Sequence, residues 1–228
     1  MVDNKTFSVI ITTYRRYDTL SDVIQGWLNN NVDQLWVIDN SNKFKLRTEH
    51  VGKVVLFSMP IDLTTRVDYS FATLTDGDFV ICADDDAVVQ SGFVEDMYNG
   101  WKKVGGGIVG VIGRQFTSET YMKCKHFRAN KISEPVRTGS IGIIYVSPRE
   151  YFGFDTRNME TIDDDMWWLM NKRPDVPKHV VPSNKWISLP TGSDKNCLFH
   201  APPSERQIRQ DCYYKYYMKN YKPYNKIW

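Results

Sequence analysis

The sequence predicts an α/β fold: one domain built on a mostly parallel central sheet with helices on both faces. Three observations lead there. Short runs rich in β-branched residues recur without polar alternation, the form taken by strands covered on both faces. Amphipathic stretches of helical period lie between them. A run of three aspartates, Asp84-Asp85-Asp86, directly follows one of the strand-like segments, at the end of a strand where open α/β sheets place their ligands.

The elements follow in order. Residues 7–12, FSVIIT, form a buried parallel strand. After a turn at residues 13–16, Leu20, Val23, Ile24, Trp27 and Leu28 trace one helical stripe, and Asp18 or Thr19 is placed to cap it. Residues 35–39, 54–58 and 79–83 are three further strands, and residues 63–74 and 93–104 are helical. Strands alternating with helices over the first 113 residues give the open sheet its order. Gly105-Gly106-Gly107 breaks the chain before a strand at 108–112, and residues 140–146 read as another. Residues 162–170 and 204–220 are helical, with Ser204 as a cap after two prolines, and six prolines between 174 and 203 punctuate loops. The expected organisation is one domain over 1–228: a regular α/β half at 1–113, a less regular half at 114–202 and a C-terminal helix and tail at 203–228.

Composition narrows the function classes. At 228 residues the chain can bury one good core, and 42% hydrophobic with 25% charged residues excludes a disordered or fibrous chain. A formal net charge of +2 gives no field that argues for nucleic acid. No apolar run reaches the length of a membrane span and no signal core opens the chain, so a cytoplasmic protein is expected. Cys82, Cys124, Cys197 and Cys212 form no CxxC pair and read as reduced thiols.

The chemistry concentrates in two acidic triplets. Asp84, Asp85 and Asp86 repel one another, and the usual relief is a cation whose hardness suits oxygen ligands, Mg²⁺ or Mn²⁺; a solvated acidic loop is the plain alternative. Asp163-Asp164-Asp165 opens a helix carrying Trp167 and Trp168. Carboxylates in a first turn complement the helix dipole, while a tryptophan pair serves either as core or as a platform for a sugar ring. There is no P-loop, no GxGxxG after a strand, no GxSxG and no HExxH. Of the four histidines only His200, between apolar Leu198-Phe199 and Ala201-Pro202-Pro203, is well placed for a site.

Ser8 to Tyr14 at the start, Val37 to Asn40 and Asp84 to Asp86 together resemble a GT-A nucleotide-sugar glycosyltransferase. Leu63 to Arg66, Ile108 to Arg114, Thr138 to Ser140, Ile162 to Asp164, Glu205-Arg206 through Cys212-Tyr213-Tyr214, and Tyr221 to Tyr224 are similar, in order, to the exostosin-like α-hexosaminyltransferases. The resemblance spans roughly residues 7–224 and implies a single catalytic domain with its nucleotide-sugar-binding half at 1–113 and its acceptor-binding half at 114–202. It implies a transfer of hexose or N-acetylhexosamine from a UDP-sugar to a hydroxyl of a glycan, glycoprotein or glycolipid acceptor, with retention. Thr13, Tyr14, Arg15, Asp39 and Asn40 would then frame the uracil and ribose. Arg66 would face the diphosphate, and Asp84 and Asp85 would join the nucleotide-sugar contacts. Asp86, Asp84 and His200 would hold Mn²⁺ or Mg²⁺. Asp164 would be the active-site carboxylate, with Asp163 beside it and Arg209 or Arg206 steadying the leaving diphosphate; Gly139, Ser140, Trp167 and Trp168 would meet acceptor or sugar. The family's cysteine just before the Asp-Asp pair is Ile162 here, which leaves Cys212 without that partner and points to a reducing compartment, as in a microbial or viral enzyme. Two alternatives stand beside this reading: an inverting transferase with Asp164 or Asp165 as general base, and a non-catalytic sugar- or nucleic-acid-binding module. The tail at 213–228 interleaves tyrosines and lysines, and fits a helix packed on the core, a peripheral membrane contact or a single-stranded nucleic-acid platform.

Overall fold

Strand β1 (Phe7–Thr13) is the centre of the sheet's first half. Val9, Ile10 and Ile11 have no exposed surface, which explains the lack of alternation in the segment: both of its faces are covered. It pairs in parallel with β2 (Gln34–Asp39) on one side and β4 (Phe79–Asp84) on the other, with β3 (Val55–Ser58) outside β2. The computed structural model describes residues 2–61, 66–118, 121–153 and 175–190, with positions 214, 215 and 219.

Helix α1 (Leu20–Leu28) returns the chain from β1 to β2 and buries Leu20, Val23, Ile24 and Trp27, the stripe read from the sequence. Thr19 holds the N-cap position but makes no side-chain capping bond, so Asp22 in the first turn is left to complement the helix dipole. Gly26 lets the helix approach β5 (Ala87–Val89): a Cβ there would stand 2.6 Å from the Val89 carbonyl oxygen. Helix α2 (Arg66–Ala72) precedes β4, and α3 (Phe93–Lys103) follows β5. Asn30 caps α3 from a distant part of the chain, its Oδ1 accepting from the amides of Phe93 at 2.9 Å and Val94 at 3.3 Å.

After α3, Gly105, Gly106 and Gly107 all have positive φ, 77°, 105° and 93°, a conformation that side chains resist. A Cβ on Gly107 would lie 2.3 Å from the Pro177 carbonyl oxygen, which accepts from Ile108 N at 2.9 Å. That close approach seats β10 (Lys178–Val180) beside β6 (Ile108–Gln115). With β7 (Lys125–Arg128), β8 (Val136–Thr138) and β9 (Ser140–Pro148), the described strands form a nine-stranded sheet of order β3-β2-β1-β4-β9-β6-β10-β8, β7 pairing on β6. Six of the nine, β1, β2, β3, β4, β6 and β10, run one way, and β7, β8 and β9 run against them. The sheet is therefore mostly parallel, as the sequence predicts. Separately, β11 (Trp186–Ser188) pairs with β5 as a two-stranded ribbon.

The helix expected at 162–170 lies outside the described residues, as does most of 204–220. Positions 214, 215 and 219 are helical. Tyr214 is buried, its ring 4.9 Å from that of Phe116, and its hydroxyl donates to the Ser118 carbonyl at 2.6 Å. Lys215 and Lys219 are exposed. At these positions the tyrosine–lysine alternation is core on one side and wetted charge on the other. No helix among the described residues is long and apolar enough to cross a membrane.

One fold residue carries a pH dependence. Burial, and then the charge of Arg137 facing it across β8 and β10, hold the His179 imidazole down at about 4. The unfolded chain takes up that proton near the ordinary value of 6.5, so the stability lent by neutral His179 is complete above that pH and is lost as pH falls toward 4. His179→Gln should flatten the fall in stability between about pH 7 and pH 4.5, read by urea titration; an unchanged slope would mean that other groups govern it.

Candidate active site

From β1 the chain winds outward through β2 and β3, then crosses to the other side of β1 to form β4. The strand order reverses between β1 and β4, and at such a switch point the loops beyond the carboxyl ends diverge and leave a crevice. Thr13 ends β1, Asp39 ends β2, with Asn40 next, and Asp84 ends β4. Because β9 is antiparallel to β4 and β6, with Ala83 opposite Ile144 and Arg114 opposite Ser140, its start lies at this same edge. Thr13, Asp39, Asn40, Asp84, Asp85, Asp86, Gly139 and Ser140 thus share one edge of the sheet.

The three aspartates of the triplet occupy different environments. Asp84 is exposed. Asp85 is 2% exposed and points inward, its Oδ2 accepting from Thr13 Oγ1 at 2.7 Å and its Oδ1 from Arg16 Nη2. Asp86 is half-buried, its Oδ2 accepting from Arg16 Nη1 at 2.9 Å. One guanidinium, mostly buried itself, thus bridges two neighbouring carboxylates. Burial pushes the Asp85 carboxyl up to about 6, outweighing the downward pull of Arg16 and Thr13.

The turn after β1 aims these groups. Arg15 sits at φ 60°, the left-handed region that costs a non-glycine residue roughly 1 kcal/mol. Its guanidinium lies 4.8 Å over the Tyr14 ring. Tyr14 is half-buried and Arg15 exposed, while the next residue, Arg16, turns into the acidic loop.

At the end of β2, Asp39 has no exposed surface. Its Oδ1 accepts from Ser41 N and Oγ, both at 2.9 Å, and from the Tyr17 hydroxyl at 3.0 Å. Its Oδ2 accepts from Lys43 N at 2.6 Å and Phe44 N at 2.7 Å. Burial alone would push this carboxyl up, but the amides of Phe44, Ser41 and Lys43 hold it below the usual range. Asp39 shapes the 40–44 turn with both oxygens, and Asn40 N closes the β1–β2 end by donating to Thr13 O at 3.0 Å.

Arg66 takes the first position of α2. Two residues on, Asp68 accepts from Thr12 Oγ1 of β1, tying that helix to the strand end. Ser140 Oγ and the Tyr121 hydroxyl are 2.9 Å apart. A Cβ on Gly139 would lie 2.2 Å from the Phe116 ring, so this glycine admits the Phe116–Tyr121–Tyr214 aromatic group to the edge. Cys82 and Cys124 are buried free thiols. Asp163, Asp164, Asp165, Trp167, Trp168, His200, Arg206 and Arg209 lie outside the described residues, as do Cys197 and Cys212.

Arg16, Tyr17, Thr12 and Asp68 are part of the site's framework although the sequence did not single them out. Arg16 and Tyr17 stand in an irregular turn where periodicity gives no signal, and the bond from Thr12 to Asp68 spans 56 residues. As for a metal, no group of three or more His, Cys, Asp and Glu side chains among the described residues forms a cage. Asp84 and Asp86 offer hard carboxylate oxygens at the crevice, a donor set that fits Mg²⁺ or Mn²⁺ when diphosphate oxygens complete the shell.

The chain has a GT-A-like fold, a mostly parallel sheet with an acidic loop at its switch point. No protein-family model matches it, and no curated protein matches it in sequence. Among solved structures it is similar to S. aureus TarS, a teichoic acid glycosyltransferase. Against TarS 1–349 the TM-score is 0.58 at 10% identity, covering 79% of this chain and 59% of that one. Against a longer TarS structure it is 0.57 at 11% identity, covering 79% and 36%. The chain therefore spans less than two thirds of either. The likeness is one of fold, and it does not extend to the exostosin-like family in particular.

Proposed function

We propose that the chain is a metal-dependent glycosyltransferase, moving a hexose or N-acetylhexosamine from a UDP-sugar to a glycan hydroxyl. The observation that carries this reading is the acidic triplet at the β1–β4 switch point of a GT-A-like sheet. Tyr14 and Arg15 offer a charged and aromatic frame suited to a flat base and ribose, with buried Thr13 bonded to Asp85 behind them and the 40–44 turn held in place by Asp39. Arg66, at the start of α2, supplies a guanidinium for diphosphate oxygens. Asp84 and Asp86 are the residues that would hold Mn²⁺ or Mg²⁺, with His200 as a further candidate. Such an ion, when bound, neutralises the departing diphosphate as a Lewis acid.

The resemblance read from the sequence assigns Asp164 to the reacting centre, where it orients the acceptor and stabilises positive charge on the sugar. Asp163 would bind sugar hydroxyls, and Arg209 or Arg206 would steady the leaving group. Gly139, Ser140, Trp167 and Trp168 are assigned to the acceptor side. Retention of configuration rests on the same resemblance.

Calorimetric titration of UDP into the full chain, with and without Mn²⁺, tests the reading: binding should require the metal. Absent or metal-independent binding would overturn it. Asp164→Asn should abolish transfer while changing UDP affinity by less than about threefold, a difference of well under 1 kcal/mol. A large loss of UDP affinity would move Asp164 away from its assigned place. Proton NMR of the first-formed sugar product reads the stereochemistry, with the donor's anomeric configuration expected to persist.

A further inference from the structure

We infer that Arg16 is an internal counter-cation of the acidic loop, and that it delays the divalent ion until the nucleotide diphosphate arrives. This rests on the proposed metal-dependent reading and deepens it. Arg16 uses the two arms of one guanidinium differently. Nη2 is on Asp85, a carboxylate 2% exposed and also bonded to Thr13. Nη1 is on Asp86 Oδ2 at 2.9 Å. The first arm is an anchor, sealed in the interior. The second reaches the half-buried carboxylate assigned to the metal, and side chains here are 15% exposed for Arg16 and 14% for Asp86.

A divalent ion approaching Asp86 on its own meets a carboxylate that already has a cationic partner. It also meets a fixed positive charge that is always present, because a guanidinium does not titrate in this range. Charge-assisted bonds of this type are among the stronger polar contacts in proteins, so an ion must displace or share one. With UDP present the balance changes. The diphosphate brings its own oxygens to the ion and gives the released Nη1 arm a new anionic partner, while Nη2 stays on Asp85. Arg16 therefore raises the dependence of metal binding on nucleotide, and metal and nucleotide load together.

The experiment measures free Mn²⁺ by electron paramagnetic resonance in titrations of the full chain, with and without UDP. Three proteins are compared: the parent, Arg16→Lys, and the charge-balanced double variant Arg16→Gln/Asp85→Asn. Lysine keeps a cation for the buried anchor but lacks the fork that spans two carboxylates. The double variant removes the anchor charge together with its partner, so no buried ion is left alone. The parent should bind Mn²⁺ at least tenfold more tightly with UDP than without. In both variants Mn²⁺ should bind the UDP-free protein at least tenfold more tightly than it binds the UDP-free parent, and the enhancement by UDP should shrink. If the parent shows UDP-dependent Mn²⁺ binding and neither variant gains affinity without UDP, the role of Arg16 is refuted and the metal reading stands. If no protein binds Mn²⁺ with UDP present, the metal reading fails and the inference with it.

Discussion

Asp84→Asn is expected to reduce Mn²⁺-dependent UDP affinity by at least a hundredfold, about 2.7 kcal/mol, while leaving the urea midpoint close to that of the parent. Asn has the shape of Asp but lacks the charge that a hard cation seeks. Asp84 ends β4 and is exposed, so the isosteric exchange leaves no cavity, and surface changes shift stability by roughly 0.5 kcal/mol or less. The electrostatic side is larger. Two unit charges at 4 Å interact by about 4 kcal/mol at an effective dielectric constant of 20, and the ion carries two. Desolvation consumes part of this, which leaves the expected hundredfold. Asp86→Asn should show a similar loss of UDP affinity, although it also takes the charge from the acceptor of an Arg16 bond and should lower stability somewhat more. An Asp84→Asn protein that binds UDP as the parent does would show that the triplet is only an acidic loop.

Most of the first half of the fold was legible because its main elements are long enough to show their pattern. β1 is continuously apolar since both its faces are covered, and α1 displays its buried stripe at Leu20, Val23, Ile24 and Trp27. The second half was not legible to the same degree. β8, β10 and β11, like β5 in the first half, are three residues each, too short for either period to show, and their positions follow from pairing with distant partners. That the acidic triplet ends a strand was legible in the sequence; the different environments of its three carboxylates were not. Three identical letters at 84–86 gave no hint that the middle one points inward; Arg16, some seventy residues earlier, marks the difference. Asp39 likewise reads as a nucleotide contact from its place at the end of a strand. The structure shows its two oxygens already accepting from Ser41, Lys43, Phe44 and Tyr17, bonds that depend on how the following turn folds back and leave no periodic trace.

Asp85→Ala should destabilise the fold by about 3 kcal/mol, the scale of breaking a buried ion pair from one side. The truncation removes the buried carboxylate that accepts from the Nη2 arm of Arg16 and from the Thr13 hydroxyl. The nearby Asp86 holds the other arm. Asp85→Asn should cost far less, about 1 kcal/mol or under, for two reasons. An amide can turn its oxygen to the guanidinium and its NH₂ to Thr13, whose hydroxyl accepts as readily as it donates. It also removes a carboxylate that burial already disfavours, as its rise to about 6 indicates. Urea unfolding at pH 8 of parent, Ala and Asn variants measures both differences. A parent-like Ala variant would mean that the Arg16–Asp85 pair contributes nothing to holding the acidic loop. An Asn variant as unstable as Ala would mean that the charge itself, rather than the pattern of bonds, holds it. The expected order, with Asn near the parent and Ala well below, assigns the buried middle aspartate to the architecture of the loop and leaves the outer two for chemistry.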